Sequence, residues 1–115
     1  MEKFKREIKE NLLWMHNYHI VHRDVKPSNC MYNPALGRYV LIDFGISQIV
    51  EEGFQQLTTT MSCGTFEYMT NELKALRKSK TSVGTVNVYE ADMYAYDKTV
   101  EIIKQVKRRL KGQTQ

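Results

Sequence analysis

"HRDVKPSNCMYNPALGRYVLIDFG", residues 22–45, joins a loop crowded with ionisable and amide groups to a short apolar hairpin. His22, Arg23, Asp24, Lys26 and Asn29 all fall before the first hairpin residue. Cys30 to Tyr32 then reads as a short extended segment and Asn33-Pro34 and Gly37 as turn signals. Tyr39-Val40-Leu41-Ile42 has the aromatic and β-branched content of a strand. The hairpin delivers the chain to Asp43-Phe44-Gly45.

On the N-terminal side, Phe4, Ile8, Leu12 and Met15 recur at helical spacing, and Leu13 and Trp14 widen the stripe, which predicts an amphipathic helix over 2–17. On the C-terminal side periodicity fades from Ile46 to about Thr70, which reads as a long loop; loops of that length in compact domains are usually functional or mobile. A second helix is expected over Glu72 to Lys78, then a Ser/Thr/Gly segment from Ser79 to Thr85. The last helix is expected from about Tyr89 past Leu110. No internal repeat or low-complexity tract is seen.

The 115 residues suit one ordinary globular domain, and 42% hydrophobic with 26% charged residues argues against global disorder. The first residues lack the apolar run of a secretory signal and no stretch approaches a membrane span, so an intracellular protein, cytoplasmic or nuclear, without a membrane partner is expected. Cys30 and Cys63 form neither a disulfide framework nor a zinc site. The net charge is +4, and it gathers at one end. Lys98, Lys104, Lys107, Arg108, Arg109 and Lys111 face a single acid, Glu101, a local charge of +5. A solvated helix end is the preferred reading, ahead of binding to nucleic acid or to an acidic partner.

Phosphoryl transfer leaves a protein little covalent work. It needs a carboxylate to accept a hydroxyl proton, a cation to meet the phosphate, and oxygen ligands for a metal. Asp24, Lys26, Asn29 and Asp43 are of those types. His22-Arg23-Asp24 followed by Asn29 has the order H-R-D-x-x-x-x-N, and Asp43-Phe44-Gly45 is a D-F-G triplet. A D-F-G alone arises by chance; the two motifs in order, with a predicted hairpin between them, are specific.

On these motifs residues 1–97 resemble the C-terminal lobe of eukaryotic protein kinases. HRDVKPSN, with Lys26, is similar to the serine/threonine branch, and the stretch HRDVKPSNCMYNPALGRYVLIDFGISQ is most similar to kinases of the Cdc-seven type. The implied fold is α+β, mainly α: a partial kinase-like C-lobe of helix, catalytic loop, β-hairpin, activation segment and helix. A basic helical extension over 98–115 follows it.

The resemblance implies ATP and Mg2+ as cofactors and a protein as substrate. It implies Asp24 as catalytic base, Lys26 on the γ-phosphate, and Asn29 and Asp43 as magnesium ligands. His22 and Phe44 would pack within the lobe, with Gly45 completing the D-F-G turn. Arg23 would receive a phosphate carried by Thr58, Thr59, Thr60 or Ser62; that run reads equally as a flexible polar loop. Thr65, in the segment Cys63 to Met69, would hydrogen-bond Asp24 and Lys26. Glu72 stands in Thr70-Asn71-Glu72 where the family has A-P-E. Asp92, opening D-M-Y-A-Y-D, would hold the loop backbone around His22, and also suits the N-terminal end of a helix.

The sequence departs from the family at Phe66, which replaces a proline, and at Asp97, which replaces a glycine on a normally buried helix where an unpaired carboxylate is costly. No G-x-G-x-x-G loop and no V-A-I-K lysine precede His22, so the nucleotide-covering lobe is expected to be absent. The expectation is a chain that catalyses poorly alone and needs a protein partner over the uncovered surfaces. The alternative is a non-catalytic, kinase-derived module that docks into a larger assembly.

Overall fold

Two helices, α1 (Glu2–Asn17) and α3 (Val88–Gln113), enclose the core with a β-hairpin of β2 (Cys30–Asn33) and β3 (Arg38–Leu41) in a computed structural model that describes residues 1–50, 56–59, 65–78 and 84–113. The other elements are β1 (Ile20–Val21), β4 (Gln48–Ile49), β5 (Gln56–Thr59), α2 (Asn71–Lys78) and β6 (Gly84–Asn87), with 3-10 turns at Pro27–Asn29 and Phe66–Tyr68. The described residues are mainly helical and carry small antiparallel sheets, as expected of an α+β chain.

The inner face of α1 presents Ile8, Leu12 and Met15, each at most 2% exposed, to Val25, Leu41, Ala95, Tyr96 and Val100. Burying each such aliphatic side chain is worth about 1.5–3 kcal/mol. Leu13 and Trp14 do not widen this stripe: both are about half exposed, and Trp14 stacks on Tyr18 at 4.8 Å. They lie off the face that α3 and β3 cover. The helix stops where His19, at a left-handed φ of 61°, donates its N–H back to His16 O.

α1 also completes the hairpin. Glu7 Oε1 accepts from Tyr39 N at 3.1 Å and Asn11 Oδ1 from Leu41 N at 2.8 Å, so two side chains one helical turn apart meet alternate N–H groups of the β3 edge. Phe4 packs edge-on against Tyr39, and Arg38 pairs with Glu10 at 2.9 Å. In the turn, Asn33 Oδ1 accepts from Ala35 N and Leu36 N, and Gly37 takes a φ of 64° that a side chain would strain.

Two more sequence expectations change. Residues 46–70 are not all loop: β4 pairs antiparallel with β1 (Ile20↔Ile49), and β5 pairs with β6 (Gln56↔Asn87). Such short strands are set by distant partners and leave no alternation to read. Asp97 is exposed, so its carboxylate carries no burial cost. The last helix, expected from about Tyr89 past Leu110, is α3, and Thr99 and Val100 within it are buried.

Candidate functional site

Asp92 is the anchor of the site. It is 2% exposed, with Oδ2 accepting from His22 N at 2.8 Å and Oδ1 from Arg23 N at 2.9 Å. His16 Nε2 lies 2.8 Å from Oδ2, and the His16 ring meets Tyr89 edge-on at 4.9 Å. Arg23 sits at a φ of 74°, a conformation that costs a non-glycine residue about 1–3 kcal/mol and persists where the surroundings fix it. Two buried donors held by one carboxylate fix it here. The Arg23 guanidinium turns to Gln48 Oε1 at 2.9 Å.

His22, fully buried, ties the loop to the end of the hairpin. Its Nδ1 accepts from Asp24 N at 3.1 Å and its Nε2 donates to Ile42 O at 2.8 Å, which assigns the Nε2–H tautomer. Its ring also meets Phe44 edge-on at 5.3 Å.

Beyond His22 the polar side chains converge. Thr65 Oγ1 donates to Asp24 Oδ1 at 3.0 Å and accepts from Lys26 Nζ at 2.9 Å. Lys26 Nζ is 3.7 Å from Asp24 Oδ2. Asn29 Nδ2 donates to Asp24 O at 2.8 Å and, weakly, to Oδ2 at 3.4 Å. A carboxylate, an amine, a hydroxyl and an amide thus surround one point.

Cys30 donates its thiol to Lys26 O at 3.4 Å, and burial pushes its pKa up to about 12. Ile42 N donates to Asn29 O at 2.9 Å, which joins hairpin and loop a second time.

Asp43 is held more loosely. It is exposed at a φ of 61°, and its Oδ1 accepts a long bond, 3.3 Å, from Gly45 N. A Cβ on Gly45 would meet the same oxygen at 3.3 Å, closer than such contacts normally come. Phe44 is 51% exposed.

His22, Arg23, Asp24, Lys26, Asn29, Thr65 and Asp92 therefore form one connected network, and Asp43 and Phe44 border it. Glu72 lies apart, exposed in the first turn of α2. Thr58 and Thr59 lie on β5, while Thr60, Ser62 and Cys63 fall outside the described residues. Sequence reasoning missed His16 and Gln48. The signal for His16 was its place one residue after Met15 at the end of α1, where the helix turns toward the loop. Among the described residues no three His, Cys, Asp or Glu side chains gather as a metal-binding cluster, and no helix is long and apolar enough to cross a membrane.

A polar loop closed by an Asp–Thr–Lys chain and followed by a hairpin and a D-F-G turn is the architecture of a kinase-like phosphotransferase lobe. Residues 1–105 match the family model of the protein kinase domain, and the chain belongs to that family, among the eukaryotic serine/threonine protein kinases. It is 59% identical to the Cell division cycle 7-related protein kinase of Homo sapiens over 34 residues, 30% of this chain and 6% of that protein. It is 34% identical to Serine/threonine-protein kinase MPS1 of Encephalitozoon cuniculi over 83 residues, 69% of this chain and 14% of that protein. Against Mitogen-activated protein kinase kinase 8 of Arabidopsis thaliana the identity is 31% over 96 residues, 83% of this chain and 30% of that protein. The chain thus spans less than a third of the length of these curated relatives.

Proposed function

We propose that this chain carries the proton-accepting and metal-holding part of a serine/threonine protein kinase site, which transfers the γ-phosphate of ATP to a protein hydroxyl. The observation that carries the reading is the Asp24–Thr65–Lys26 chain of hydrogen bonds at 3.0 and 2.9 Å. Asp24 accepts the proton of the attacking hydroxyl, and Thr65 holds one carboxylate oxygen so that the other faces the substrate. Lys26 places a cation beside the same point, against the charge that develops on the transferring phosphate.

Asn29, whose amide N–H is spent on Asp24, still has Oδ1 as an acceptor, and Asp43 offers an exposed carboxylate. These are the hard oxygen donors magnesium takes, and magnesium draws its other ligands from water and phosphate. Held by these residues, a magnesium ion would supply positive charge against the transferring phosphate. Arg23 and the hydroxyls of Thr58 to Ser62 make the regulatory pair of this reading, a phosphate on the latter drawing the guanidinium from Gln48.

Met31 and Tyr32 on β2 and Phe44 after β3 are each about half exposed, and their exposure supports a protein surface that covers them when the site works. The same exposure favours the second reading, a non-catalytic docking module. With ATP as the donor, the location that goes with this reading is intracellular, cytoplasm or nucleus.

Calorimetric titration of the purified chain with ATP and magnesium separates the two readings. Saturable, magnesium-dependent binding that Asp43→Ala removes is expected. No binding by a folded chain transfers the weight to the docking module.

A further inference from the structure

The second half of α3 has the chemistry of a docking helix. Asp92, Ala95, Tyr96, Thr99 and Val100 turn one face of α3 into the molecule, and the same face runs on through Ile103, Val106 and Leu110. From residue 104 to residue 112 every side is exposed, and Val106 and Leu110 are 47% and 56% exposed. Lys104, Lys107 and Lys111 border this apolar stripe on one side and Arg109 on the other, with no acid between Ile102 and Gly112.

Three kinds of occupant use such a helix differently. A nucleic-acid backbone takes the cations and leaves Val106 and Leu110 in water. A membrane surface asks for a long apolar face with aromatic anchors, whereas this stripe is short, aliphatic and without an aromatic residue. A protein groove with an apolar floor and an acidic rim uses both stripe and flanks. The order Ile103, Val106, Leu110 is the i, i+3, i+7 anchor spacing of helix-in-groove recognition.

We propose that residues 103–112 dock into the acidic, apolar-floored groove of a protein partner, of the kind a calcium-loaded EF-hand sensor opens. The helix engages through Val106 and Leu110, and its cations set the partner's sign of charge. This interaction does not depend on the phosphotransfer reading, because none of its residues belongs to the Asp24 network.

Titrating the full chain with calmodulin, first in calcium and then in EGTA, tests it. Saturable binding in calcium that chelation abolishes is expected. The double substitution Val106→Ser and Leu110→Ser weakens it by about tenfold or more, the effect of two lost aliphatic anchors. Both positions are exposed, so circular dichroism melting of the variant stays that of the parent. Absence of calcium-dependent binding overturns the proposal, as does binding that the double variant leaves within about twofold. Tighter binding to phosphatidylserine vesicles or to a short DNA duplex also overturns it and reassigns the helix.

Discussion

The two ends of the β2–β3 hairpin are held in opposite ways. Before it, the loop from His22 to Asn29 is buried or half-buried over most of its length, and its backbone is fixed from α3 by Asp92 and from within by His22 and Asn29. After it, Asp43 to Ile46 is exposed, and the Asp43 carboxylate has one long bond to its own turn. Both segments contain a residue at left-handed φ, Arg23 and Asp43. Only the first has buried polar groups that dictate it. The chain therefore fixes the groups around Asp24 by its own packing, while among the described residues the Asp43 carboxylate has no comparable support.

The sharpest way to break this contrast is Asp92→Ala. It strands two backbone donors beside His16, and the expected loss is about 3–5 kcal/mol, read as the midpoint of urea unfolding. A loss under about 1 kcal/mol would mean that the loop holds its own shape. Thr65→Val comes next. It removes the hydroxyl that both accepts from Lys26 and donates to Asp24, for an expected loss of about 1–2 kcal/mol. Full stability in that variant would leave the network without energetic weight.

Acid titration probes the packing of α1 on the hairpin. Burial alone would raise the Glu7 pKa, but the Tyr39 N–H and the Lys3 ammonium outweigh it and hold the carboxyl below its ordinary value of 4.5. A lowered folded pKa stabilises above that ordinary value, and the contribution is lost as pH falls through the folded one. Glu7→Gln should flatten this acid limb in a pH series of thermal melts; an unchanged limb would assign it to other carboxylates. The smallest stability effect belongs to Asp43→Ala, less than about 0.5 kcal/mol because the side chain is exposed. A loss of more than about 1 kcal/mol would show that the D-F-G turn supports the fold and erase the contrast.

What could be read in advance followed the range of the interaction. The α1 helix was legible because Phe4, Ile8, Leu12 and Met15 repeat within the element itself, and the hairpin because Asn33, Pro34 and Gly37 punctuate it. The residue types around Asp24 were legible from their spacing. The β5–β6 pairing was not, since Gln56 meets Asn87 across the chain and neither strand alternates. The support of β3 by Glu7 and Asn11 was hidden for a related reason: polar residues directly before Ile8 and Leu12 look like a solvent face until the edge they meet is known. Leu13 and Trp14 erred the other way, because an apolar side chain adjoining the stripe is buried only if a neighbour reaches it.

The bond from His22 N to Asp92 spans 70 residues. Its consequence concerns time as much as space. A ribosome makes the Asp24 loop long before it makes the carboxylate that fixes it, so the nascent loop stays without its anchor until α3 emerges and pays the entropy of a long closure. The α1 helix and the hairpin meet each other through Glu7 and Asn11, bonds that span 32 and 30 residues, so they can pair before α3 is made. Assembly thus runs from scaffold to loop, and the Asp24 loop takes its anchored shape only once α3 has been made.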